Sequence, residues 1–187
     1  MKTFELTGTP RSEFGKKAAK ALRAENLVPC NIYGVGENLT FTVAASDVRQ
    51  MIYTPDTLIV LLTVGDVKKT AVVKEMQFHP LSGDVMHIDF LAVDENKPVT
   101  VEIPIQLTGH AAGVKAGGKL ALNMRKMKVN GIYTQFPDRV VIDVTELALG
   151  KKIAVGDVHI EGLTMMNPKD ACVAEVKATR QSAAAAQ

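Results

Sequence analysis

The sequence predicts a mainly β protein with short helices, arranged as two units in tandem. Three observations carry this. Segments rich in Val, Ile and Thr recur along the chain, and such residues favour a pleated strand. Helix-favouring composition shows in two short stretches, residues 13–25 and 45–53. A polar break ending in proline, DENKP at 94–98, separates two sets of strands. The 187 residues suffice for two small units, each burying a core of its own. The expected organisation is 1–93, a linker at 94–98, 99–180, and an Ala-rich tail at 181–187, disordered or loosely helical.

Within the first half, residues 3–8 (TFELTG) alternate and form a first strand. The helix over 13–25 has Ser12 as its N-cap, Gly15 weakening its first turn and Asn26 as its stop. LVPCNIYG (27–34) is a strand closed by Gly34, and LTFTV (39–43) alternates strictly. Ser46 caps the helix at 45–53. TLIVLLTV (57–64) is an apolar strand, and Gly65-Asp66 turns it into a hairpin with residues 67–78. DVMHIDFLAV (84–93) ends the half. In the second half, 99–109 opens a new strand set and HAAGVKAGGKL (110–120) reads as a flexible Gly/Ala-rich surface loop. Further β-like stretches lie at 126–133, 139–145, 152–160 and 171–177.

Composition excludes several classes. The amino terminus lacks the apolar core of a secretory signal, and the longest apolar run, 58–62, is too short to span a bilayer. Two cysteines, Cys30 and Cys172, make neither a metal pattern nor a disulfide framework and read as buried free thiols. A cytoplasmic protein fits. The net charge of +2 rules out a generic polycation, so any nucleic-acid binding needs a local patch.

One patch stands out. Residues 11–23 carry Arg11, Lys16, Lys17, Lys20 and Arg23 against the single acid Glu13. On a helix, Lys16, Lys20 and Arg23 fall at i, i+4 and i+7 and make one stripe, with Phe14, Ala18 and Ala21 opposite and Leu22 near the edge. Like charges so placed repel modestly, a cost that a polyanion relieves; a solvated face has the same pattern. In the next strand Tyr33 shares a face with Asn31, away from Cys30 and Ile32, where its ring could stack on a nucleotide. His87 and Asp89 share a face of their strand. A His–Asp pair suggests catalysis, but no serine or cysteine nucleophile in a suitable local motif accompanies it. The pair reads better as hydrogen-bonding groups for base edges or ribose hydroxyls. The four histidines show no ligand spacing, so no metal is expected. GVKAGGKL (113–120) imitates a phosphate loop, but Leu120 stands where a Mg²⁺-binding hydroxyl is needed.

Taken together, GKKAAKALRAENLVPCNIYG (15–34) and HIDF (87–90) resemble the family of large-subunit ribosomal protein twenty-five, bacterial 5S rRNA-binding proteins that include the general stress protein Ctc. VTVEIPIQLTGHAAGVKAGGKL (99–120) and VVIDVTELALGKKI (140–153) are similar to the C-terminal domain of that family's long form. The resemblance implies a six-stranded β-barrel with short helices, a second, mostly β domain, and binding to loop E of 5S rRNA across its minor groove. By the same resemblance Arg11, Lys16 and Arg23 match cations on the RNA backbone, and Lys20 a position usually basic. Tyr33, His87 and Asp89 match the RNA-facing groups, and Gln77 and His79 a neighbouring motif in which Phe78 stands where an arginine is often found.

The expected partner is therefore 5S rRNA on the cytoplasmic ribosome, with no cofactor, membrane or small-molecule substrate. A second basic cluster, Lys115, Lys119, Arg125, Lys126 and Lys128, either touches 23S rRNA or neighbouring ribosomal proteins or is simply solvated. The competing readings are a stress-related adaptor working off the ribosome through the second unit, and an enzyme using His87 and Asp89.

Overall fold

The structure is a computed structural model that describes residues 2–179; the tail expected at 181–187 lies outside the described residues. The chain divides into two compact units between Val99 and Thr100.

The first unit runs β1 (Lys2–Pro10), α1 (Lys16–Ala24), β2 (Leu27–Tyr33), β3 (Leu39–Ala44), α2 (Ala45–Tyr53), β4 (Leu58–Val64), β5 (Val67–Phe78) and β6 (Val85–Ala92). Its six strands close into a barrel in the order β1-β3-β2-β6-β5-β4, as the family resemblance implied. Two of the pairings are parallel, β1 with β4 and β2 with β6. Closure pairs every strand on both sides, so no edge is left to recruit another chain. Ile32, Phe41, Val60, Ile88 and Phe90 are fully buried at its centre, and the Phe41 and Phe90 rings lie 5.8 Å apart. Gly8 is required here, because a Cβ would overlap the Phe41 ring. α2 adds Val48 and Met51 to the same core. The apolar run of β4 is buried on one face only: Val60, Leu62 and Val64 point in, while Leu61 is 40% exposed.

Both expected N-caps are wrong. α1 begins at Lys16 behind Gly15, whose φ of 101° suits glycine, and not behind Ser12. The reason is that β1 hydrogen bonding runs on: the Arg11 N–H donates to the Thr40 carbonyl (3.0 Å), and Arg11 Nε donates to the Glu13 carbonyl (2.6 Å), which holds residues 11–14 as a loop. α2 begins at Ala45, so Ser46 lies inside the helix and donates to the Asp47 carboxylate. The Ala45 N–H instead reaches the Asn26 carbonyl. Asn26 does end α1, in the left-handed conformation (φ 60°) that asparagine tolerates.

β5 hides an irregularity. Val73 pairs with Phe90 and Glu75 with Asp89, so Lys74 is an extra residue, a β-bulge. The bulge inverts the alternation: before it Ala71 and Val73 pack on the core, and after it Met76 does. Glu75 and Gln77 are thereby turned to the outside of the barrel, in register with Asp89 and His87.

The second unit comprises β7 (Val99–Thr108), α3 (Ala112–Lys115), β8 (Lys119–Leu122), β9 (Lys126–Gly131), β10 (Val140–Asp143), β11 (Lys152–Ala154), β12 (Thr164–Met165) and β13 (Cys172–Lys177), with 3-10 turns at 133–135 and 155–157. It has a four-stranded sheet, β10-β7-β9-β12, and a three-stranded sheet, β11-β13-β8. Ile103, Met127, Val129 and Val173 are fully buried. The expected flexible loop at 110–120 is instead a packed corner. Its glycines let backbone come close: a Cβ on Gly113 would meet the Leu149 backbone nitrogen at 2.6 Å, and one on Gly118 the Val176 side chain at 2.5 Å. The phosphate-loop imitation is therefore a packing device. Cys172 departs from the expected burial. It is half-buried, and its sulfur accepts a hydrogen bond from Asn123 Nδ2.

Candidate nucleic-acid interface

Helix α1 has no fully buried residue. Its half-buried side is Ala18, Ala19, Leu22 and Arg23, packed towards β2, while Lys16, Lys17, Lys20 and Ala21 are exposed. The predicted apolar side is right for Ala18 and Leu22 and wrong for Ala21, which lines a groove of about 310 Å³ between α1 and residues 10–13. Phe14 is 65% exposed, with the Arg11 guanidinium 5.5 Å above its ring.

The stripe is split by function. Lys16 and Lys20 project freely, and Lys17, which spacing left out, joins them on the exposed side. Arg23 is tied into the fold: Nε and Nη2 both donate to the Met86 carbonyl, at 3.1 and 2.9 Å. Met86 is skipped in the β5–β6 register, which passes from Gln77↔His87 to Phe78↔Val85. A bulge thus offers a carbonyl that an arginine on α1 takes, and the cationic helix is pinned beside the strand that carries His87 and Asp89.

That strand is the middle of a polar face. On the outside of the barrel, β2 contributes Asn31 and Tyr33, β6 contributes His87 and Asp89, and β5 contributes Glu75 and Gln77. Asn31, Asp89 and Glu75 lie in register across the three strands, and His87 lies in register with Gln77. His87 Nδ1 is 3.6 Å from Asp89 Oδ1, with both side chains about one-fifth exposed, at 20% and 23%. Burial pushes the Tyr33 phenol above its ordinary pKa, and the negative charges of Asp89 and Glu75 add to this. The phenol therefore stays protonated at neutral pH, able to donate and to accept.

His79 lies at the end of β5 and is committed to its turn. Nδ1 accepts the backbone N–H of Ser82 (3.2 Å) and of Leu81 (3.4 Å), and the His79 N–H donates to the Asp84 carbonyl (2.7 Å). Only Nε2 is left to face outward. Phe78 is 47% exposed beside it. Among the described residues, no group of three or more His, Cys, Asp or Glu side chains could hold a metal, and no helix is long and apolar enough to cross a membrane.

Of the residues singled out from sequence, Tyr33, Gln77, His87 and Asp89 are brought onto one face, with Lys16, Lys20 and Arg23 on the adjoining helix and Arg11 on the loop before it. Asn31 was legible by alternation with Tyr33. Glu75 was not, because the bulge at Lys74 sets its direction.

The second basic cluster is dispersed. Lys115 ends α3, Lys119 opens β8 in the three-stranded sheet, and Lys126 and Lys128 are exposed on β9 in the four-stranded sheet. Lys128 is paired with Glu102 of β7 at 3.7 Å.

Comparison with known proteins agrees with this architecture. The model of the Ribosomal L25p family matches residues 6–90, and that of the Ribosomal protein TL5 C-terminal domain matches residues 98–180. The large ribosomal subunit protein bL25 of Porphyromonas gingivalis is 55% identical, covering 100% of this chain and 98% of the relative. Its namesakes in Azobacteroides pseudotrichonymphae and Phocaeicola vulgatus are 49% identical (96% of each chain) and 44% identical (100% and 98%).

Proposed function

The chain belongs to the ribosomal L25p family, in its two-domain form with a TL5-type C-terminal domain, and on that premise we propose that its first unit binds loop E of 5S rRNA across the minor groove. It is a structural protein of the large ribosomal subunit of bacteria, works in the cytoplasm with ribosomal RNA as partner, and is not an enzyme. The observation that carries the finer reading is the outward face of β2, β6 and β5 beside a helix of free lysines.

The two parts have different work. Arg11, Lys16, Lys20 and Arg23 neutralise phosphates and set the register; cations do this without reading sequence. Tyr33, His87, Asp89 and Gln77 meet what a wide, shallow minor groove displays: 2′-hydroxyls and base edges. Regular A-form RNA closes its major groove to side chains, so an irregular internal loop is the kind of target this face suits. His79 acts mainly by shaping the turn that follows Gln77, with Nε2 as its one outward donor. Four phosphate contacts correspond to a slope of log K against log salt of about −3 to −4, roughly a hundredfold loss between about 50 and 200 mM salt.

The test is a gel-shift titration of the full chain with 5S rRNA against a plain RNA duplex at two salt concentrations. Tight, salt-sensitive binding that resists the duplex competitor is expected, and it should weaken, with a flatter salt dependence, on Lys16→Ala with Lys20→Ala. Equal binding to both RNAs, or binding unchanged by those substitutions, would overturn the assignment.

A further inference from the structure

We propose that Glu75 is a specificity-determining residue of this face, a fixed negative charge that turns phosphates away from the centre of the sheet and admits only hydrogen-bond donors there. The inference rests on the RNA-binding reading above and deepens it.

The geometry is unusual for a surface that faces a polyanion. Three adjacent strands present Asn31, Asp89 and Glu75 side by side, so one carboxylate stands on the middle strand of the polar face and a second beside it on β5. Burial raises the pKa of the Tyr33 phenol, and the charges of Asp89 and Glu75 add to the rise. Lys16, Lys17 and Lys20 are exposed on α1, with Arg23 fastened to the Met86 carbonyl between helix and row; on β5 the exposed Lys74 precedes Glu75 at the bulge. His87, in register with Gln77, lies 3.6 Å from Asp89, and β6 carries no lysine or arginine opposite Glu75.

The chain invests in this position. A one-residue bulge at Lys74 is what aims Glu75 outward; with an unbroken β5 it would point into the barrel, where Met76 now packs. A carboxylate is acceptor-only when ionised. Exocyclic amino groups and 2′-hydroxyls can donate to it, whereas a phosphate oxygen cannot and is repelled. A duplex that slides its backbone across the row is therefore penalised. A groove that keeps its phosphates on α1 and turns its donors to the sheet is not. Cations on the rim give affinity, and the acid in the row restricts which RNA surfaces can profit from it.

The experiment compares Glu75→Gln with Glu5→Gln in the full chain. Glu5 is exposed on β1, outside the row, so the second variant changes the net charge identically. Each is titrated against 5S rRNA and a plain duplex at one salt concentration. Glu75→Gln should tighten duplex binding about three- to tenfold, the range that removing one nearby charge gives, while 5S rRNA binding stays level or weakens. Glu5→Gln should move both RNAs together and slightly. If Glu75→Gln tightens both RNAs by the same factor, or matches Glu5→Gln, Glu75 contributes only bulk charge and the proposal falls. A wild-type protein with no preference for 5S rRNA would instead fail the RNA reading itself, a result visible before any variant is made.

Discussion

The two units hold comparable numbers of cations and use them differently. In the first, four of them stand on a single nine-residue helix that carries no acid. One of the four is bonded to a carbonyl of the neighbouring strand, so the helix has a fixed place against the polar face. In the second, five cations close in sequence, residues 115–128, are scattered: Lys115 ends α3, Lys119 opens β8, Arg125 precedes β9, and Lys126 and Lys128 lie on β9; β8 and β9 belong to two different sheets, and Lys128 is paired with Glu102. A cluster in sequence becomes a cluster in space only when one element carries it. The units also end their sheets differently: the barrel has no edge, whereas β10, β12, β11 and β8 are terminal strands.

The largest test of this contrast attacks the cores. Phe90→Ala in the barrel should cost about 3–5 kcal/mol, and Met127→Ala in the second unit about 2–5 kcal/mol. Hydrogen exchange on the full chain should show each loss of protection confined to its own unit; losses spread evenly over both would mean that the units fold as one. The next test removes charge. Lys16→Ala with Lys20→Ala should flatten the salt slope on 5S rRNA by about 1.4–1.8, whereas Lys126→Ala with Lys128→Ala should leave it unchanged. Equal flattening by both pairs would erase the distinction drawn between helix and sheets.

Within the first unit, Asp89→Ala should lower the preference for loop E over a duplex about tenfold, the scale of one good base-edge contact. Equal losses on both RNAs would deny Asp89 any part in selectivity. The smallest effects concern the thiols. Burial pushes Cys30 from 9.0 up to about 12, so an alkylating reagent at pH 8 should label Cys172 and spare Cys30 in the native protein. The folded state holds the Cys30 proton more tightly than the unfolded chain does. Its contribution to stability is therefore complete below about pH 9 and is lost as the pH rises from there towards 12. Stability flat across that window in a titration of urea midpoints would contradict it.

Much of the first unit could be read from local pattern. The alternation in PCNIY set the inward Cys30 and Ile32 against the outward Asn31 and Tyr33, and that in MHIDF did the same for Ile88 and Phe90 against His87 and Asp89. Period-two patterning reports directions faithfully wherever a strand is unbroken. It failed on β5, where one extra residue at Lys74 shifts the phase, and so Glu75 went unnoticed. The helix caps failed for a related reason: Ser12 and Ser46 look like caps in isolation, but backbone partners at Thr40 and Asn26 decided where the helices start.

The sequence by itself determined the strand composition, the polar break before Val99, the cation-rich helix and the polar pairs that alternate with core residues, because each depends on neighbours a few positions away. Tertiary structure alone decided the closure of the barrel, the packed corner at Gly113 and Gly118, the capture of the Met86 carbonyl by Arg23, and the row of Asn31, Asp89 and Glu75. Each of these joins residues distant in the chain, and a register or a bulge that no local pattern encodes brings them together.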